Sequence, residues 1–416
     1  IANIIANAHE HGTGTCPREN DLLQFTNKMR YCKCRISCRR TGDPALKKKR
    51  ILLLSEGFGA GHTRAAHALS VSLRQHSPNV QTKVLELGTF LHPTIMPIIY
   101  HAYRKTLTSS PRLYAMLYQK QNKMLSRFSQ LALHRLFYAQ TAEVIRQLRP
   151  DTIVCTHPFP NAVVSRLKRS GLNIPLCTVI TDYDAHGTWI SPETNMYLVS
   201  TPEVKNKLLL KGVPQERIQV TGIPVHPSFL TRHDRNAVLR KYGLKNMPTV
   251  LVMGGGWGIG PKDICEHLAS WREQIQLIFC LGNNEKAIAK MSAEPLYRHE
   301  HIRLLGFTNE VDKLMDVSDL LITKPGGLTC TEAMAKGVPM LLYDAIPGQE
   351  EENCQYFIEN GFAEKIDDIS VIDRWMDRLL HHLDELKNRR RSIANHVAQF
   401  GPAGWTRAIL QTVNEA

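Results

Sequence analysis

Two doubly wound α/β domains facing across a cleft are what this chain predicts, on three observations. From Ile51 onward, short apolar runs alternate with segments of helix length, the pattern of parallel strands with covering helices. That pattern completes itself twice, and the join is Gly222-Ile223-Pro224-Val225-His226-Pro227, whose prolines forbid a helix and suit a hinge. The first strand of each set runs directly into a glycine-rich loop, and doubly wound sheets receive their ligands at the carboxyl ends of the strands.

Taken in order, the first set has expected strands at Ile51 to Leu54, Lys83 to Leu87, Thr152 to Cys155, Leu176 to Thr181, Met196 to Val199 and Ile218 to Val220. The second has Thr249 to Met253, Ile275 to Leu281, Ile302 to Leu305, Leu320 to Thr323 and Met340 to Tyr343. Each set reads as a Rossmann-like domain, so two faces define one interdomain cleft. No finer internal repeat appears.

A composition of 43% apolar and 22% charged residues over 416 positions excludes general disorder and allows sizeable cores. The net charge of +14 is local: residues 1–50 carry eleven basic and four acidic groups, and residues 91–140 carry seven basic groups and no acidic one. The remainder is neutral, which describes an enzyme-sized body with two basic patches and argues against a nucleic-acid-coating protein. Only Tyr31 interleaves the basic cluster of residues 28–50, where single-strand binding would want several aromatic side chains.

No run of about 18 apolar residues exists, so nothing is expected to span a bilayer. Ile1 to Ala8 is too short and too little flanked by positive charge for a secretory signal, which predicts a cytoplasmic protein. Cys155, Cys177, Cys265, Cys280, Cys330 and Cys354 are isolated, as reduced thiols in a reducing compartment are. Cys16, Cys32, Cys34 and Cys38 cluster without the paired CxxC arms of a zinc module, so residues 1–50 are expected to be a disordered basic tail, with Met29 a possible start.

Three loops carry the chemistry. After the first strand, Ser55-Glu56-Gly57-Phe58-Gly59-Ala60-Gly61-His62 leads into a helix-forming stretch; it is one residue short of a dinucleotide fingerprint and lacks the Gly-Lys-Ser/Thr ending of a P-loop. His62 therefore falls near a helix N-terminus, which disfavours imidazolium and suits a base; the alternative is a tight turn with an incidental histidine. The second domain opens with Val250-Leu251-Val252-Met253 running into Gly254-Gly255-Gly256-Trp257-Gly258-Ile259-Gly260, a loop able to close main-chain N–H groups on a diphosphate. Later, Lys324-Pro325-Gly326-Gly327 starts another helix as a second anion site, with Glu332 one turn inside to accept from sugar hydroxyls or simply to favour the dipole. Gln349 and Asn353, four apart, share a helix face toward the cleft, beside a Glu350-Glu351-Glu352 run.

GFGAGH at Gly57 to His62, TDYDAHGTW at Thr181 to Trp189, GIPVHPSF at Gly222 to Phe229, TKPGGLTCTEAMAKGVP at Thr323 to Pro339 and PGQEEEN at Pro347 to Asn353 resemble the diacylglycerol glycosyltransferases. That group holds the bacterial processive diacylglycerol glucosyltransferases and the plant monogalactosyldiacylglycerol synthases, and is similar to the lipid II-forming N-acetylglucosaminyltransferase. The resemblance runs from residue 51 to about 400 and implies a GT-B fold. On it, residues 51–225 are the acceptor domain, 226–385 the UDP-sugar domain and 386–416 a helical segment crossing back. It implies inverting, metal-independent hexose transfer, glucose ahead of galactose, from a UDP-hexose to 1,2-diacylglycerol, with no cofactor besides the donor.

By the same resemblance His62 is the general base, Glu332 the ribose-binding acid, and Gln349, Glu350 and Asn353 contacts to the donor sugar and phosphates. Gly256, Gly326 and Gly327 belong to the diphosphate cradle, and Phe307 supplies a backbone edge to uracil. Gly59, Gly61, Asp182 and His186 match on the acceptor side. The chain departs from the family in its diphosphate loop, GGGWGIG, where Trp257 is inserted.

Residues 91–140 mix Ile95, Ile98, Ile99, Tyr100, Tyr103 and other apolar side chains with seven cations, which suits an anionic lipid surface. At about 1 kcal/mol per basic residue this predicts reversible docking on the inner face of the cell membrane. The alternative reading is a soluble UDP-sugar enzyme of the same fold, such as a 2-epimerase, which has no use for this stretch.

Overall fold

The computed structural model describes residues 48–109, 127–254, 260–346 and 348–414, all within one compact unit, Lys47–Ala416. The tail with its cysteine cluster, the middle of the basic stretch, Gly256, Trp257 and Pro347 lie outside the described residues.

Two six-stranded parallel sheets form the body. The first holds β1 (Lys49–Ser55), β2 (Val80–Glu86), β3 (Thr152–Cys155), β4 (Leu176–Val179), β5 (Met196–Val199) and β6 (Ile218–Val220) in the order β2-β1-β3-β4-β5-β6. The second holds β7 (Thr249–Met253), β8 (Gln276–Cys280), β9 (Ile302–Leu305), β10 (Leu320–Thr323), β11 (Met340–Leu342) and β12 (Ala363–Lys365) in the order β12-β11-β10-β7-β8-β9. β3, β4, β5, β7, β8, β10 and β11 are buried at every position, as central strands covered by helices on both faces must be, and that is why their apolar runs were readable. The six isolated cysteines are free thiols buried in these cores.

β12 is an addition to the expected elements. Ala363-Glu364-Lys365 has no apolar run, and it becomes a strand only because Ala363 pairs with Met340 at the sheet edge. β2 likewise begins at Val80, ahead of its apolar core, because Lys49 of β1 pairs there.

Strand order places the ligand loops. In each sheet the order reverses beside the first strand, between β1 and β3 and between β7 and β10, and crevices open at such switch points. Helix Ala60–His76, leaving β1, packs on helix Gly327–Ala335, leaving β10, so the two crevices face each other. Helix Pro402–Asn414 returns to lie against β3, β4 and β5, with Trp405 Nε1 donating to the Thr221 carbonyl at 2.6 Å. Gly222, at φ +75°, allows this close packing: a Cβ there would lie 2.7 Å from Phe400 Cβ. The linker after the hinge is pinned to the second domain, where fully buried Lys336 pairs with Asp316 at 2.6 Å and His233 Nδ1 meets the same carboxylate at 2.7 Å.

Candidate active site

Gly59 is extended and caps helix Ala60–His76, which puts His62 in its first turn. The ring is fixed from three sides. Its Nδ1 lies 2.7 Å from Thr181 Oγ1 at the end of β4, His157 packs edge-on at 4.8 Å, and Trp189 lies against it at 5.9 Å. In the tautomer that carries its hydrogen on Nδ1, Thr181 Oγ1 accepts it and Nε2 keeps the lone pair a base needs. Burial pushes the imidazole below its ordinary value, with Asp182 pulling the other way.

His157 stays neutral beside this pair. Its Nδ1 accepts from Phe159 N at 3.1 Å, which leaves its hydrogen on Nε2, and burial, reinforced by His62, keeps it well below the usual imidazole range. Phe58 stacks on His157 at 5.7 Å and meets Tyr100 and Tyr103 edge-on at 5.1 Å each. Buried Glu56 accepts from Gly88 N at 2.7 Å and from the Tyr100 hydroxyl. Gly57 is small for a reason: a Cβ would lie 3.0 Å from the Tyr100 ring. Helix Met96–Ser109, part of the basic apolar stretch, is thereby fastened to the loop bearing His62.

The opposite wall comes from the second sheet. Gly326 caps helix Gly327–Ala335, and a Cβ on Gly326 would meet nothing within 4 Å, whereas one on Gly327 would lie 2.3 Å from the Thr181 carbonyl oxygen. Gly61 is close too, its Cβ position 3.5 Å from Leu328 Cβ. Glu332 is buried and accepts from Arg64 Nη2 at 2.7 Å; burial pushes its carboxyl up to about 7, with Arg64 lowering it and Asp312 raising it.

Helix Gln349–Glu359 begins at Gly348, whose φ of +101° favours glycine, and Glu351 accepts from the Gly348 N–H at 2.9 Å. Burial raises the Asp182 carboxyl, while His62 and the nearby side-chain amides of Gln349 and Asn353 lower it. Asn353 Oδ1 accepts from Tyr183 N at 2.8 Å, which ties this helix to the acceptor loop. Glu350 accepts from Ile346 N at 2.9 Å, its carboxyl raised by burial and lowered by Lys324. Tyr183 reaches Thr331 at 2.9 Å and stacks on Tyr356 at 4.3 Å.

Among the expected site residues, the structure brings Gly59, Gly61, His62, Asp182, Gly326, Gly327, Glu332, Gln349, Glu350 and Asn353 to one cleft. Phe307 stands on the loop after β9 with its ring exposed, and His186 caps the turn Gly187–Trp189 by accepting from Thr188 N at 3.3 Å. Thr181, Trp189, His157, Tyr183 and Arg64 escaped the sequence reading. Thr181 and Trp189 bracket a segment already singled out, and His157 follows β3 directly; Arg64 looks like any helix-surface arginine.

Two oxygens bear on the ligand. Asp182 Oδ2 and Glu332 Oε2 are buried with no hydrogen-bond partner, and both are acceptors on facing walls of the cleft. Buried polar atoms are normally satisfied, which makes these two candidate acceptors for hydroxyl groups of a ligand.

Residues 62–225 match the monogalactosyldiacylglycerol (MGDG) synthase family, and residues 240–397 match the glycosyl transferases group 1. The processive diacylglycerol beta-glucosyltransferase of Bacillus subtilis (strain 168) is 30% identical over 356 residues, 84% of this chain and 92% of that protein. The protein of the same name from Bacillus cereus (strain AH187) is 32% identical over 359 residues, 84% and 90% of the two chains. The chain belongs to the diacylglycerol glycosyltransferase family. This glycosyltransferase has the GT-B fold, as its resemblance to solved structures also shows. MurG of Acinetobacter baumannii aligns with a TM-score of 0.57 at 16% identity, covering 88% of this chain and 100% of that one. Anabaena Alr3699/HepE in complex with UDP-glucose aligns at 0.57 and 14%, with the same coverage. A UDP-GlcNAc 2-epimerase from Neisseria meningitidis shares the fold at 0.56 and 15%, covering 88% and 100%, which is no argument for epimerase chemistry against relatives twice as similar in sequence.

Proposed function

We propose that this glycosyltransferase moves a hexose, glucose ahead of galactose, from a UDP-hexose to the free hydroxyl of 1,2-diacylglycerol with inversion. The observation that carries the reading is His62, set in a helix's first turn with Nδ1 on Thr181 and facing the donor-side glycine that presses on the same Thr181. Nε2 takes the hydroxyl proton, the hydroxyl oxygen forms the new bond to the sugar's anomeric carbon, and that carbon's bond to the diphosphate oxygen breaks. The departing UDP gains negative charge, which the N-termini of helices Gly327–Ala335 and Gln349–Glu359 stabilise in place of a cation. Glu332 holds the ribose, and Gln349, Glu350 and Asn353 the sugar and phosphates. The relatives' printed names support diacylglycerol as acceptor and glucose as the sugar.

The acceptor reaches the cleft from a lipid surface. Ile98 is 70% exposed, and Phe90, Ile95 and Ile99 are exposed beside it on the segment that Tyr100 fastens to the His62 loop. No helix among the described residues is long and apolar enough to cross a membrane. Peripheral docking on the cytoplasmic face of the cell membrane fits both facts.

Incubating the protein with diacylglycerol vesicles and either UDP-glucose or UDP-galactose, then separating the lipids, tests the whole reading. A β-glucosyl diacylglycerol is expected. Consumption of UDP-sugar with no glycolipid formed would refute it.

A further inference from the structure

Arg64 takes no part in moving the proton, yet it stands two residues past His62 on the same helix and crosses the cleft to Glu332. Its side chain is 41% exposed and that of Glu332 2%, so a solvent-accessible cation of one domain serves a buried anion of the other. The contact uses Oε1 alone. Oε2 has no hydrogen-bond partner.

We propose that Arg64 is a positioning residue for the donor: it holds one oxygen of Glu332 from the acceptor domain and leaves Oε2, charged and fixed, to take the ribose hydroxyls of the UDP-sugar. The proposal rests on the reading of Glu332 as the ribose-binding acid. A ribose diol is a pair of donors, and only an ionised carboxylate accepts from it without spending an oxygen on its own proton. Burial works against that charge, and Arg64 is the group that lowers the carboxyl while Asp312 raises it. Because the cation belongs to the other domain, the ion pair ties the ribose acid to the helix that bears His62.

The other charged groups around Glu332 are committed elsewhere. On the hinge turn His226 accepts from Ser228 N and lies under the fields of Asp312 and Arg64. From helix Leu383–Ala398, Arg390 donates to the Ser318 and Lys336 carbonyls and pairs with Asp319, and His396 meets the Tyr356 hydroxyl. Lys336 and His233 are held by Asp316.

Calorimetric titration of the full chain with UDP and with 2′,3′-dideoxy-UDP, from about pH 6 to about pH 9, tests this in wild type, Arg64→Lys and Arg64→Gln. Wild type is expected to prefer UDP by at least about tenfold at alkaline pH, the worth of a hydrogen bond to a charged group, and to lose that preference as pH falls through the Glu332 titration. Arg64→Gln should lose it about one pH unit higher, leaving near-equal affinities at neutrality, while Arg64→Lys keeps the wild-type profile. Arg64 is partly exposed, and an unchanged melting curve confirms that each variant folds. If Arg64→Gln weakens both nucleotides equally at every pH, the arginine is a counter-charge to the diphosphate and the proposal fails; an unchanged ratio overturns it too. A wild type that never distinguishes the two nucleotides removes Glu332 as the ribose acid, and Arg64 with it, without touching the product assay.

Discussion

The Nδ1 of His62 and the hydroxyl of Thr181 sit 2.7 Å apart, although 119 residues separate them in the chain. This contact fixes which imidazole nitrogen faces the acceptor. Thr181→Val removes the partner, frees the ring to rotate or to change tautomer, and should lower kcat by about ten- to a hundredfold, with the UDP-sugar KM nearly unchanged. Thr181→Ser should restore most of the rate. His62→Ala should abolish transfer while UDP-sugar binding survives, and steady-state kinetics with a separate binding titration distinguish the cases.

The pH dependence follows from the same ring. Burial holds His62 below its ordinary value of 6.5, so the neutral base persists from alkaline pH down to a midpoint beneath that figure. At saturating UDP-sugar, kcat should stay level through neutrality and fall only in acid. Asp182, and to a lesser degree the Thr156 backbone, raises His62, so Asp182→Asn should move the midpoint further down. A wild-type midpoint above 6.5, or an upward move in the variant, contradicts this account.

What was legible in the sequence follows burial. Strands such as Thr249–Met253 and Leu320–Thr323 are buried throughout and announce themselves as apolar runs; Ala363–Lys365, at an edge, owes its form to a neighbour and announces nothing. The glycine loops were readable because backbone freedom is a local property of the chain. Arg64 with Glu332, 268 residues apart, and Thr181 with His62 were not, because each pairing is made by the packing of helix Ala60–His76 against distant elements. His186 was read as an acceptor-side residue from its place in a family motif, and its ring is used in part as a cap.

Asn353 joins the two walls of the cleft. It accepts from Tyr183 N, so Asn353→Leu leaves that buried N–H without its bond, costing about 1–3 kcal/mol. That cost falls on the contact between the two walls. The expected result is a raised UDP-sugar KM and a lower kcat with little change in either domain's helical signal, read by kinetics alongside circular dichroism.

Lipid docking should respond to both charge and apolar contact. Co-sedimentation with vesicles should rise with the fraction of anionic lipid and fall with salt, since exposed charges are screened within about 10 Å at 0.1 M salt. Ile98 is exposed enough that Ile98→Glu is not expected to disturb the fold. That variant should weaken sedimentation and slow transfer on vesicles, while activity toward a short-chain, water-soluble diacylglycerol stays near wild type. Binding indifferent to salt and to this substitution would remove the docking role.

Adjacent glycines at the donor wall should fail in different ways when each is given a methyl group. Alanine is intrinsically better than glycine inside a helix by about 1 kcal/mol, so any loss at Gly327 comes from space and not from propensity. A Cβ on Gly327 would lie 2.3 Å from the Thr181 carbonyl oxygen, and the backbone there carries the partner of His62. Relief requires the walls to part by roughly an ångström, and a displacement of that size costs on the order of a hundredfold in rate when it separates base from reacting carbon. Gly327→Ala should therefore lower kcat by about that factor. At Gly326 a Cβ meets no protein atom within 4 Å, so the closed cleft accepts it and the methyl group instead enters the space proposed for the diphosphate. Gly326→Ala should raise the UDP-sugar KM, with a smaller change in kcat and an unchanged melting temperature. If both substitutions raise KM alone, Gly327 is only part of the phosphate cradle and the pressure on Thr181 has no bearing on catalysis.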